Sequence, residues 1–191
     1  DLINAIKAFG PSHVIVAAPI ETLFDNLSKV IEFGIKNILV EKPMALNLNE
    51  AETLVSSIKK YKINFSVAYN RRYYSSFIEA LKLIKKSSEP IESIYFEFNE
   101  VMPFVNGPEG KDLKVKNKWV LANSMHVIDS AFFPVGLPSF SKSNFQRIGN
   151  DLKWHPTASV FCGSGVTNQG TPFSYHANWK SPGSWGVEWM T

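Results

Sequence analysis

Cysteine is nearly absent: Cys162 is the only one in 191 residues. That excludes an internal disulfide and any cysteine-based metal cluster, and it fits a reducing compartment. Long apolar runs are also missing. None approaches the ~20 residues a bilayer-spanning helix needs, and no signal-peptide pattern opens the chain, so a soluble, cytoplasmic protein with no membrane partner is expected. Charge of one sign is not in excess, with 20 basic against 17 acidic residues and a net charge of +3. No basic stripe is present, which argues against a nucleic-acid partner. The local group Lys111, Lys114, Lys116 and Lys118 reads as a solvated loop rather than an anion site. His155 and His176 have no neighbours at metal-ligand spacing, so no metal is expected and both read as structural. Repeats and low-complexity tracts are absent.

What remains is a chain with 45% apolar and 13% aromatic residues, ample for a core. The apolar run His13–Pro19 and the segments 37–41 and 63–68 read as short buried strands of a parallel sheet. Helix-length segments separate them. One carries Leu23, Leu27, Val30 and Ile31 on a single face, with Gly34 placed to end it. Asn47 and Glu50 have capping-box spacing at the start of the next. This alternation argues for right-handed βαβ units. It brings Pro19, then Glu41-Lys42-Pro43, then Tyr69-Asn70-Arg71 to one sheet edge, where ligands of open α/β sheets bind. A lysine there can serve as a general acid or base.

After residue 72 the pattern changes. A helix is expected over about 73–86, with Phe77, Leu81 and Ile84 inward. Ile94, Phe96 and Phe98 then share one face of a period-two strand within 91–99. A loop rich in Pro, Gly and Lys follows, and then a helix near 123–133 ended by Pro134. Strands are expected around 139–147, 158–163, 173–179 and 185–190. The fold class expected is therefore α/β: the C-terminal part of a Rossmann-type parallel sheet over 1–71, then an α+β domain over 72–191 with a largely antiparallel open sheet. Asn123 or Ser124 would cap the 123–133 helix, placing His126 in its first turn. There the helix dipole would keep the imidazole neutral. His126 and Asp129 lie three apart on that helix, so a buried structural pair is the competing reading. Trp179, Trp185 and Trp189 suggest either a stacking surface or a packed interface.

The segment from His13 to Arg72, with Glu41-Lys42-Pro43 and Asn70-Arg71, followed by His126-x-x-Asp129, resembles the Gfo/Idh/MocA oxidoreductases. These include glucose–fructose oxidoreductase and inositol dehydrogenase. The resemblance implies a Rossmann domain binding NAD or NADP, and hydride transfer to or from a sugar, cyclitol or nucleotide sugar. It assigns Lys42 and His126 to catalysis, and Ala18, Pro19, Glu41, Lys42 and Asn70 to the cofactor. Lys42, Arg71, Asn123 and His126 fall to the substrate, with a homo-oligomer formed through the C-terminal sheet. The glycine-rich pyrophosphate loop and the acidic ribose reader are expected before Asp1, with a further part of the protein beyond Thr191, so this segment alone would be inactive. Many members carry an aspartate four residues before the helix histidine, where this chain has Ala122. That departure keeps a second reading open: a non-catalytic, NAD(P)-binding regulator with the same fold.

Overall fold

Helix caps and apolar spacing set out the first third of the chain. In a computed structural model, residues 1–101 and 106–191 are described. They form two compact units, Asp1–Tyr69 with Val120–Ala122, and Asn70–Trp119 with Asn123–Thr191. Residues 102–105, in the loop expected after residue 99, lie outside the described residues.

The first unit runs α1 (Leu2–Phe9), β1 (His13–Val16), α2 (Ile20–Phe33), β2 (Asn37–Val40), α3 (Leu48–Tyr61) and β3 (Asn64–Val67). Gly34 ends α2 in the left-handed region, at φ 95°, a conformation that glycine adopts without a Cβ penalty. At the start of α3 the Asn47 side chain accepts from the Glu50 amide at 2.9 Å, and Glu50 reaches back to accept from the Leu46 amide. The three strands are parallel in the order β1-β2-β3, with Val16, Val40 and Val67 near their ends in neighbouring ladders.

Continuous strand burial, as expected from the apolar runs, does not hold. Val16, Ile38 and Val40 are buried, while Ile15 and Leu39 on the opposite face are exposed. The crossovers step one way, β1 to β2 to β3, and same-handed crossovers in one direction place their helices on one face. All three helices accordingly share a single core with Val16, Ile38 and Val40.

The second unit begins with a 3-10 turn (Asn70–Tyr73) leading into α4 (Ser75–Ser87). Then come β4 (Ser93–Phe98), α5 (Leu113–Lys116), α6 (Trp119–Phe132), β5 (Pro138–Ile148), β6 (Val160–Thr167), β7 (Pro172–Asn178) and β8 (Trp185–Met190). The sheet order is β5-β6-β7-β4-β8; the β4–β7 pair is parallel and the other three are antiparallel. Ile94, Phe96 and Phe98 are all buried, as the alternation predicts. The Phe132 ring of α6 meets Phe96 and Phe173 edge-on at 5.4 and 5.0 Å, which seats the helix on that face. This is a mixed α/β fold of the expected class.

Two boundaries differ from expectation by four residues, and α5 puts Lys114 and Lys116 on a short helix inside the segment expected to be a loop. β6 continues to Thr167, four residues beyond the expected end, because Gly163 and Gly165 lie inside the strand. A Cβ on Gly163 would lie 2.5 Å from the Asn144 carbonyl oxygen and 2.6 Å from the Tyr175 ring. Glycine is there for close approach, not for a turn. Gly163→Ala is therefore expected to cost roughly 1–3 kcal/mol through forced displacement of the β5 backbone, measured by urea unfolding. An unchanged midpoint would contradict this packing. The helix expected near 123 begins at Trp119, behind Lys118, which makes no side-chain cap.

Candidate functional site

The first unit gathers its candidate residues where the three parallel strands end. The Glu41 amide donates to the Val16 carbonyl at 3.0 Å and the Ala68 amide to the Val40 carbonyl at 2.8 Å. The ladder thereby extends one step and sets Ala17, Glu41 and Ala68 side by side beyond the strands. Ala17, Pro19 and Glu41 are exposed and Ala18 is half-buried. Pro19 precedes α2 and supplies no side-chain cap. The small Ala17 and Ala18 side chains and the exposed Glu41 carboxylate leave room and an acceptor suited to ribose hydroxyls, while the Pro19 carbonyl already accepts from the Thr22 amide and hydroxyl.

Lys42 follows the central strand β2 and is half-buried. Its Nζ donates to the carbonyl oxygen of Ala122 at 2.7 Å. Ala122 belongs to α6, and its stretch Val120–Ala122 clusters with the first unit. Where the resemblance leads one to expect an aspartate side chain, a backbone carbonyl receives the lysine. A carbonyl accepts a hydrogen bond but holds neither a charge nor a proton.

The second unit contains the α6 group. Asn123 donates through Nδ2 to Glu100 Oε2 at 2.7 Å, which holds the amide against the end of the β4 segment. His126 is half-buried and is the eighth residue of α6. The expected first-turn position and its dipole argument therefore fail, since the effect fades within one turn. Asn123 and Ser124 are interior to the helix and cap nothing. Asp129 gives both carboxylate oxygens to Arg72, at 2.8 Å from Nε and 2.5 Å from Nη2. The Arg72 guanidinium also lies 4.3 Å from the Phe133 ring centre. This bidentate fork braces the 3-10 turn against α6. Asn70 opens the same turn and is exposed, and Arg71 lies beside it with its guanidinium 5.7 Å from the Trp185 ring.

Sequence reasoning missed Glu100 and the Arg72–Asp129 fork. Glu100 had one available signal, an acidic residue just past a half-exposed strand. The fork joins residues 57 apart in the chain and had none. The remaining candidates are embedded in the fold. Trp179 is fully buried against Phe98 and Phe161, so it presents no stacking surface. His176 pairs through Nδ1 with Asn99 at 3.2 Å. Among the described residues no group of three or more His, Cys, Asp or Glu is placed to hold a metal ion. No helix among them is long and apolar enough to cross a membrane.

His155 is 3% exposed, and burial pushes its pKa below the ordinary histidine range near 6.5. A base depressed in the folded state is protonated more readily in the unfolded chain. Stability is then fully present above the unfolded pKa and is lost as pH falls below about 6.5 towards the folded value. His155→Gln is expected to flatten that acid limb, as read by urea midpoints between neutral and mildly acidic pH. An equally steep limb in the variant would contradict the assignment.

Residues 2–69 match the GFO_IDH_MocA family, described as an oxidoreductase family with an NAD-binding Rossmann fold. Over 132 residues the chain is 27% identical to scyllo-inositol 2-dehydrogenase (NADP(+)) IolW of Bacillus subtilis strain 168. That match covers 69% of this chain and 37% of the relative. Over 143 residues it is 28% identical to scyllo-inositol 2-dehydrogenase (NAD(+)) of the same strain, covering 74% and 40%. The chain thus spans well under half the length of these curated relatives. Among solved structures, an oxidoreductase from Desulfitobacterium hafniense superposes with a TM-score of 0.81 at 16% identity, over 98% of this chain and 55% of that one. A Gfo/Idh/MocA family oxidoreductase from Vibrio cholerae gives 0.72 at 16% identity, over 95% and 53%.

Proposed function

We propose, from the match of residues 2–69 to the Gfo/Idh/MocA oxidoreductase family, that the protein transfers a hydride between NAD or NADP and a hydroxyl-bearing carbon of a sugar, cyclitol or nucleotide sugar. The observation that carries this reading is Lys42, set at the carboxyl end of the central parallel strand with its amino group held by Ala122. Ligands of open α/β sheets bind beyond strand ends, and a tethered lysine there has a defined direction for proton transfer. The two inositol dehydrogenases of Bacillus subtilis, one using NADP and the other NAD, support a cyclitol or sugar as substrate and leave both cofactors in play.

The bound nicotinamide supplies or accepts the hydride. Lys42, as the neutral amine, takes the proton from the hydroxyl being oxidised; in the reverse direction its ammonium returns it. Glu41 receives the ribose hydroxyls and Ala18 and Pro19 line the ribose, with Asn70 assigned beside them. His126 and Asn123 hydrogen-bond the substrate, and the Glu100 contact fixes the Asn123 amide for that role. Arg71 contributes a cation. Exposed Leu137, Phe140 and Ile148, on or beside the edge strand β5, support self-association through the second sheet.

The position of Ala122 supports one rival, a regulator that binds the cofactor without chemistry. A carbonyl cannot relay a proton away from Lys42, whereas an aspartate could. The discriminating experiment incubates the intact protein with NAD or NADP and a panel of inositols, hexoses and nucleotide sugars, following the absorbance of the reduced nicotinamide. Turnover with at least one polyol is expected. Cofactor binding with no reduction across the panel would favour the regulator.

A further inference from the structure

Arg71 and Arg72 are adjacent yet meet different fates. Arg72 is neutralised by Asp129. Arg71 has no carboxylate partner among the described residues, and its contact there is the face of Trp185. It lines a cleft of about 250 Å3 in the second unit, together with Tyr74, Phe77, Ser130, Val187 and Trp189. At ~30 Å3 per water molecule that is room for about eight waters, the scale of one small ring with a substituent.

The walls specify the occupant. Phe77 is 9% exposed and meets Trp189 edge-on at 5.4 Å. The Trp189 indole N–H is committed to the Ala131 carbonyl, so that ring offers carbon surface to the cleft. The Ser130 hydroxyl donates to the His126 carbonyl and retains only its acceptor lone pairs. Arg71 is the one charged lining residue. Its guanidinium carbon lies 5.7 Å from the Trp185 ring centre, and a guanidinium presents N–H donors in a planar fork that matches a carboxylate.

We propose that this cleft binds a small cyclic carboxylate, with the carboxylate on Arg71 and the ring against Phe77 and Trp189. Arg71 is also the cation given to the substrate above, but this assignment is read by binding alone, so its failure is distinguishable from a failure of hydride transfer. Benzoate is the probe, with benzyl alcohol as its neutral counterpart, titrated against the intact protein by tryptophan fluorescence and confirmed by calorimetry. Benzoate is expected to saturate and to bind at least about tenfold more tightly than benzyl alcohol, the scale of a lost charge-assisted hydrogen bond. Arg71→Gln should erase that preference while leaving benzyl alcohol within about twofold. Arg71→Lys, which keeps the charge but loses the planar fork, should fall between. Equal affinity of the two probes for the unmodified protein would overturn the proposal, whether or not the variants fold. So would a benzoate affinity indifferent to Arg71→Gln.

Discussion

Lys42→Met is expected to lower kcat by roughly 10²–10⁴-fold, the usual contribution of a positioned general acid or base. Methionine keeps the unbranched stem and approximate length of lysine but carries no transferable proton. Cofactor affinity should change far less, because Glu41, Ala18 and Pro19, the residues proposed to line the ribose, are untouched. The substitution also removes the 2.7 Å hydrogen bond to Ala122. That carbonyl keeps its intrahelical amide donor within α6, so losing the lysine bond costs only about 1 kcal/mol, and the folded fraction is measured beside the rate. Lys42→Arg separates the effects. It preserves a donor and a positive charge for Ala122 but holds its proton across the whole accessible pH range. Near-normal stability with kcat as low as in the methionine variant is the expected result. Turnover within a few-fold of the unmodified protein in Lys42→Met would remove Lys42 from the chemistry.

The largest stability effect is expected at Phe96. Its side chain is 3% exposed, stacked on Tyr175 at 5.2 Å and struck edge-on by Phe132 at 5.4 Å. Removing the ring opens a cavity where β4, β7 and α6 meet. Phe96→Ala should therefore cost about 3–5 kcal/mol, a large share of the 5–15 kcal/mol typical of folded proteins. Leu83→Ala is the control. That side chain is 67% exposed, and its removal should change stability by no more than about 0.5 kcal/mol. Comparable losses at the two positions, measured by urea unfolding, would contradict the placement of the core.

Local signals with a single physical origin were readable from the chain. The β1-α2-β2-α3-β3 order follows from apolar runs bounded by Gly34 and Pro19, which act through backbone preference, and Asn47, which acts through its side-chain cap. The face shared by Ile94, Phe96 and Phe98 follows from the pleat. Features set by distant neighbours were hidden. Ile15 and Leu39 read as core, yet their exposure depends on which face the crossover helices cover. The strand expected over 158–163 runs on to Thr167, with Gly163 admitting Asn144 and Tyr175 and Gly165 admitting Ser143. The start of α6 was obscured because Trp119 follows an uncapped Lys118, while the internal Asn123-Ser124 pair imitates a cap. Around the candidate site the strand-end position of Lys42 was legible from Glu41-Lys42-Pro43. Its carbonyl acceptor was not, since backbone groups leave no mark in the sequence. Nor was the Arg72–Asp129 fork, which only tertiary structure brings together.

The most direct test of the central claim is hydride transfer itself. The intact protein is supplied with NAD or NADP and a cyclitol deuterated at its ring carbons, and the reduced nicotinamide is recovered for mass spectrometry. Deuterium at nicotinamide C4, abolished in Lys42→Met with cofactor binding retained, is the predicted result. Tight cofactor binding with no label transferred from any cyclitol, hexose or nucleotide sugar similarly deuterated would contradict the oxidoreductase assignment and leave the regulator in its place.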